Sequence, residues 1–188
     1  MNPEVAKALD TLKRGGVVAF PTDTVWGLLA LPNSARAVAK IYRLKGRPKD
    51  KPLQLLVAGL DKAREIAEVD ERFFTLAERY WPGPLTIVAP ARRPYPLVGA
   101  VEKVGLREPA NETLKELIRA AGGVLAATSL NQSGKPPVKS YAEALAFGAD
   151  YVFPGEVRGD VASSVVDLVT GEVLREGAIP KEELFKYL

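Results

Sequence analysis

The chain has 188 residues, with 26 Lys and Arg against 23 Asp and Glu (formal net charge +3), and neither histidine nor cysteine. Without thiols or imidazoles there is no disulfide framework, no Cys/His zinc site and no imidazole-based triad; any metal must be a hard, oxygen-bound ion such as Mg2+, carried in part by a substrate. A hydrophobic content of 47% and this length suit one globular domain over residues 1–188, no apolar run of about 18 residues predicts a membrane span, and Met1–Asp10 lacks a signal-peptide layout, so a cytoplasmic location is expected. In chain order, Asn2-Pro3 starts a helix to about Lys13, and Gly15 or Gly16 ends it. Val17–Phe20 is a short strand stopped by Pro21, and Gly27–Leu31 is extended. Ser34 caps a helix to about Lys45 that places Val38, Ile41, Tyr42 and Lys45 on one face, with Gly46 and Pro48 closing it. Leu53–Ala58 is a continuous apolar run, hence a buried strand. Asp61–Glu68 and Asp70–Tyr80 read as helices, Trp81–Pro84 as a turn in type II order, and Leu85–Ala89 as a strand. After an irregular stretch to about Ala100 come a strand at Val104–Arg107, a helix capped by Asn111 and ending at Gly122, and a buried strand at Val124–Ala127. A polar loop, Thr128–Pro137, follows. Ser140 and Glu143 form a capping box for a helix to Gly148. Strands at Tyr151–Phe153, Ser164–Leu168 and Val173–Arg175 precede a final short helix from Pro180. Helices interleave with strands, yet some strands follow one another through tight turns, which predicts an α/β domain with a mixed sheet.

Four segments carry side chains with chemistry to offer. From Arg36 to Lys51 there are seven cations (Arg36, Lys40, Arg43, Lys45, Arg47, Lys49 and Lys51) against one acid, Asp50. Such a run can simply be a solvated helix end favoured by the macrodipole. Here it continues through Lys45-Gly46-Arg47-Pro48, a turn stiffened by Gly and Pro that could aim two cations at a triphosphate. Pro21–Leu28 (PTDTVWGL) leaves a buried strand with hydroxyls, an aromatic and a glycine, which suits either a ligand cleft or a self-satisfied turn. Ala127–Gly134 (ATSLNQSG) is dense in hydroxyls and amides without being a P-loop, and can donate to phosphates or merely form a polar turn. Ser163–Asp167 (SSVVD) lies beside a strand whose partner carries Arg175. Arg107, ending its own strand, can pair with a carboxylate of a ligand or of the protein.

Taken together these segments resemble the YrdC family of threonylcarbamoyl-AMP synthases over nearly the whole length. The matching strings run in order: Pro21–Leu28 (family PT-x-T-x-Y/F-G-L), Lys45–Pro48 (K-x-R-P), Trp81–Thr86 (WPGPLT), Arg107 before Pro109 (V-R-x-P), Ser129, Asn131, Ser133 and Gly134 (S-x-N-x-SG), and Ser163–Asp167 (S-T-V-V-D). Trp26 stands where Tyr or Phe is usual, Ser164 replaces Thr, and Leu56 sits where some members have His. The resemblance implies a twisted mixed sheet with helices around a large concave basic surface. It implies a nucleotidyltransferase that makes L-threonylcarbamoyl-adenylate and pyrophosphate from L-threonine, bicarbonate and ATP, with Mg2+ brought by ATP and no resident metal site. The product would serve the t6A37 modification of tRNA, installed by a separate transferase complex, and tRNA or double-stranded RNA is an expected partner. By the same resemblance Lys45 and Arg47 are the expected catalytic cations. Thr24, Arg107 and Ser163 are the L-threonine contacts, and Lys45, Arg47, Lys51, Ser129, Asn131 and Arg175 are the nucleotide contacts.

That reaction suits a chain without His or Cys, because the substrates supply both nucleophile and leaving group and the protein need only position them and neutralise charge. Two other readings compete. A non-catalytic module could hold double-stranded RNA or tRNA by phosphate contacts. A YrdC-like domain could instead make a different carbamoyl-adenylate from carbamoyl phosphate, without threonine.

Overall fold

In the computed structural model, which describes residues 1–188, the chain runs α1 (Pro3–Lys13), β1 (Val18–Pro21), β2 (Trp26–Ala30), α2 (Ala35–Lys45), β3 (Gln54–Val57), α3 (Leu60–Ile66), α4 (Glu71–Tyr80) and β4 (Leu85–Pro90). It continues through β5 (Lys103–Arg107), α5 (Glu112–Ala120), β6 (Val124–Ser129), α6 (Tyr141–Leu145), β7 (Tyr151–Val152), β8 (Ser164–Asp167), β9 (Glu172–Arg175) and α7 (Lys181–Leu184). The caps read from sequence do their work: the side chains of Asn2, Ser34, Asn111 and Ser140 each accept from a backbone N–H of the helix they start, and Asp70 does the same for α4. Gly46, at φ 58°, takes the left-handed position that ends α2. The helix after Ser140 is shorter than expected, stopping at Leu145, because Ala146 and Phe147 donate three residues back rather than four.

All nine strands lie in one mixed sheet, in the order β7-β1-β2-β6-β3-β5-β4-β8-β9. The β1–β2 hairpin and the β8–β9 hairpin are antiparallel, whereas β1–β7, β3–β5 and β4–β8 are parallel. Alternation along the strands divides the sheet into two faces. One face carries Leu55 and Val57, Leu85 and Ile87, Val104 and Leu106, and packs with α2, α3, α4 and α7 into a core of 33 buried residues. The other face meets only α1 and α5, in a second core of 13 buried residues that includes Val18, Phe20, Leu29, Leu56 and Leu125. Those two helices cover the β7-β1-β2-β6 half. Over β5, β4, β8 and β9 the same face has no helix, and the side chains that point there are Lys103, Arg107, Thr86, Val88, Val165, Asp167 and Arg175, with Gly105 leaving a gap between them.

The Trp81–Pro84 turn departs from the type II expectation: the Trp81–Pro82 peptide is cis and Gly83 is not left-handed. What requires glycine at 83 is space, since an added Cβ would stand 2.4 Å from the Tyr80 carbonyl oxygen. Gly83→Ala is therefore expected to lower stability by about 1–3 kcal/mol, read as a lower urea midpoint at unchanged slope.

Candidate active site

The uncovered half of the sheet is the floor of a cleft of about 680 Å3 lined by 27 residues, a volume suited to a ligand larger than an amino acid. Its walls are the β1–β2 turn, the turn after α2, the start of β6's outgoing loop, and the segment entering β8. Five cations line it (Arg47, Lys51, Lys103, Arg107 and Arg175) against one carboxylate, Asp167.

The Thr22-Asp23-Thr24 turn is organised before any ligand arrives. Thr22 Oγ1 donates to the Val25 carbonyl at 2.6 Å and accepts from the Thr24 N–H at 3.1 Å. Its single hydrogen is thereby committed, so in the 3.1 Å contact between the two hydroxyls Thr24 is the donor. Asp23 turns away to Arg107, whose Nη1 donates to Oδ1 at 3.0 Å and Oδ2 at 3.1 Å, and also to the Gly83 carbonyl at 3.2 Å. The Arg107 side chain is 3% exposed, and its buried Nε has no protein partner. Its Nη2, which no protein group engages and which is not sealed off as Nε is, is the N–H group left for a ligand carboxylate.

The basic run divides into different jobs. Lys40 is tied to Asp150 at 2.7 Å, which offsets its crowding with Arg36 and Arg43 on α2. Arg47 and Lys51 line the cleft; Arg47 Nη2 donates to the Pro52 carbonyl at 2.9 Å, bracing the turn it sits on. Lys45 sits just behind them. It is 2% exposed and is not among the cleft-lining residues, because it ends the buried face of α2. Its Nζ donates to the Ser129 carbonyl at 2.6 Å, the Asn131 carbonyl at 3.1 Å and Asn131 Oδ1 at 2.6 Å. All three ammonium hydrogens are used, so it clamps the outgoing loop rather than offering a free charge. Burial, and next the Arg47 guanidinium, push its pKa down to about 8.

Asn131 is also absent from the cleft lining. Its Oδ1 accepts from Lys45 and from Ser129 Oγ at 2.6 Å, and its Nδ2 donates to the carbonyls of Gln132 and Lys135. Ser129 itself does line the cleft. Asn131 is thus the knot of the loop and Ser129 its face.

At the far wall Arg175, on β9, reaches back over β8: Nε donates to the Ser163 carbonyl at 2.9 Å and Nη2 to Ser163 Oγ at 3.1 Å. Burial together with the nearby Arg107 and Arg47 guanidiniums lowers the Arg175 pKa below the usual arginine range. Arg175 thus lies in the field of two further guanidiniums, and of the three only Arg107 is paired to a carboxylate. Lys103 and Asp167 pair at 2.8 Å on the floor, and no cluster of three or more acidic side chains forms a metal site. Gln54, unmarked in the sequence, and Thr86, present in the Trp81–Thr86 string but given no role there, also line the floor; the signal for each was a single polar residue on the open face of an otherwise apolar strand.

An α/β domain whose half-covered mixed sheet floors a cleft lined by five cations and one carboxylate has the shape of a small-molecule site. The family model for Sua5/YciO/YrdC, described as telomere recombination, matches residues 10–177. The chain is 39% identical over 186 residues to the threonylcarbamoyl-AMP synthase of Pyrococcus abyssi, covering 94% of this chain and 55% of that one. It is 37% identical over 183 residues to the threonylcarbamoyl-AMP synthase of Shigella flexneri, covering 92% and 95%. Among solved structures, P. abyssi Sua5 complexed with L-threonine superposes with a TM-score of 0.88 at 36% identity, over 98% of this chain and 57% of that one. This chain belongs to the Sua5/YciO/YrdC family. It spans about half the length of the archaeal relative and nearly all of the Shigella one. No helix is long and apolar enough to cross a membrane.

Proposed function

We propose that this chain is a threonylcarbamoyl-AMP synthase, a nucleotidyltransferase that joins L-threonine, bicarbonate and ATP into L-threonylcarbamoyl-AMP, releasing pyrophosphate and water. The observation that carries the reading is the convergence of Arg47, Lys51, Lys103, Arg107 and Arg175 on one cleft with a single carboxylate among its lining residues. Such a cleft favours a triphosphate at one end and an amino-acid carboxylate at the other. Names of relatives at 37–39% identity support the same activity.

In this reading Arg107 holds the threonine carboxylate with the N–H groups that Asp23 leaves free, and Thr24 and Ser163 flank the amino acid. The threonine amine takes up bicarbonate-derived carbon, and a carbamate oxygen attacks the α-phosphorus of ATP. No side chain need become a nucleophile. Arg47, Lys51 and Arg175 neutralise the charge that grows as pyrophosphate leaves, together with the Mg2+ that ATP brings. Ser129 faces the nucleotide, and Lys45 and Asn131 keep it there. The product would pass to a t6A transferase complex acting on tRNA in the cytoplasm.

The test is pyrophosphate release by the purified protein with ATP, Mg2+ and bicarbonate. Release that requires L-threonine is the expected result, and a folded sample without it overturns the proposal. Arg47→Ala should lower turnover by at least about 100-fold, as expected for a lost charge-stabilising donor. Its melting temperature should fall by no more than a few degrees, since Arg47 braces an exposed turn through the Lys51 and Pro52 carbonyls and takes no part in the core.

A further inference from the structure

A row of polar groups crosses the cleft floor from β3 to β9. Thr86 Oγ1 donates to Gln54 Oε1 at 2.6 Å and lies 3.0 Å from Ser163 Oγ, to which Arg175 Nη2 donates at 3.1 Å. Strand β5 lies between β3 and β4 in the sheet, so Gln54 reaches Thr86 by crossing β5. The crossing is open because β5 carries Gly105 there: a Cβ at 105 would stand 3.3 Å from Thr86 Cγ2 and 3.9 Å from Gln54 Cβ. Thr86 and Ser163 are each 3% exposed, so neither hydroxyl is reorganised cheaply by water.

The order of the hydrogens follows from counting. A hydroxyl has one hydrogen and two lone pairs. Thr86 gives its hydrogen to Gln54. In the Thr86–Ser163 contact Ser163 must therefore be the donor. With its hydrogen committed to Thr86 and one lone pair filled by Arg175, Ser163 Oγ has only a lone pair left for the cleft. We propose that Gln54 and Thr86 are positioning residues that fix Ser163 as a hydrogen-bond acceptor, so that this end of the cleft selects an N–H or O–H donor of the amino-acid substrate. The inference rests on the function proposed above and adds to it a rule of polarity. A carbonyl or ether oxygen presented to Ser163 would meet a lone pair, and a substrate lacking a donor there would leave that second lone pair unused.

The experiment compares Thr86→Val, which keeps the shape and deletes the hydroxyl, with Thr86→Ser, which keeps the hydroxyl. Steady-state pyrophosphate release is measured against L-threonine at saturating ATP and against ATP at saturating L-threonine, with melting temperatures alongside. Thr86→Val should raise KM for L-threonine about tenfold and leave KM for ATP within about twofold, while Thr86→Ser stays near wild type. Equal rises in both KM values, an unchanged threonine KM in Thr86→Val, or a Thr86→Ser protein as impaired as Thr86→Val would overturn the proposal. If Thr86→Val does not fold, Gln54→Leu breaks the row at its other end and carries the same expectation. A wild-type protein that releases no threonine-dependent pyrophosphate overturns the functional reading and this inference together. Normal wild-type turnover with a kinetically silent Thr86→Val overturns the inference alone.

Discussion

Arg107→Met is expected to lose amino-acid-dependent turnover and to lower stability by about 3–5 kcal/mol, the usual cost of stranding one partner of a buried ion pair. The Asp23 side chain is 11% exposed and takes two contacts from Arg107 Nη1, keeping only the Ala110 N–H if the guanidinium goes. The Gly83 carbonyl loses a donor as well. Two roles are mixed in that single substitution, and a double-mutant cycle separates them. Adding Asp23→Asn removes the stranded charge, so urea denaturation should recover part of the lost stability. Threonine-dependent pyrophosphate release should not recover, because the open N–H groups of Arg107 are still missing. Recovery of turnover in the double variant would show that Arg107 serves the fold alone. Arg107→Lys keeps the charge without the planar fork, and should sit between the two in stability while remaining poor in KM for L-threonine.

How much of this was legible in the sequence differs from element to element. Helix starts were legible because a cap is a local event: Asn2, Ser34, Asp70 and Asn111 act within three residues of themselves. The inward face of α2, with Val38, Ile41, Tyr42 and Lys45, followed from helical spacing and is buried as expected. The same spacing puts Lys45 on that buried face, from which its ammonium reaches the Ser129–Asn131 loop. Strand order was not legible, since β6 inserting between β2 and β3 is decided by pairing with segments about a hundred and about seventy residues away. The row across the floor was hidden for the same reason. Gln54, Thr86 and Ser163 lie on separate segments, and nothing local marks Gly105 as the gap through which two of them meet.

Lys45→Met should cut turnover by about 100-fold, the scale expected when a contact surface shifts by an ångström, with Lys45 acting through the Ser129 carbonyl it holds at the cleft wall. Removing the ammonium leaves the carbonyls of Ser129 and Asn131 without that donor and frees the loop whose Ser129 lines the site. The pH dependence gives the sharper test. Burial first, and Arg47 second, lower the Lys45 pKa from 10.5 to about 8. The sign is fixed by linkage. Between about pH 8 and 10.5 the unfolded chain holds the proton more tightly than the folded one. Folding stability from this site therefore rises with pH across that window and is lower below it, where the buried charge must be carried. Function runs the other way. A neutral amine has two hydrogens for three oxygen acceptors, and its lone pair then faces one of those oxygens, so the clamp on Ser129–Asn131 weakens as the proton leaves. Turnover in the wild type should fall along an alkaline limb centred near pH 8, with no matching fall in melting temperature. The residual activity of Lys45→Met should lack that limb, because the titrating group is gone. An alkaline limb that persists in the variant, or a melting temperature that falls in step with the rate, would assign the titration elsewhere and return Lys45 to a purely structural place beneath the loop.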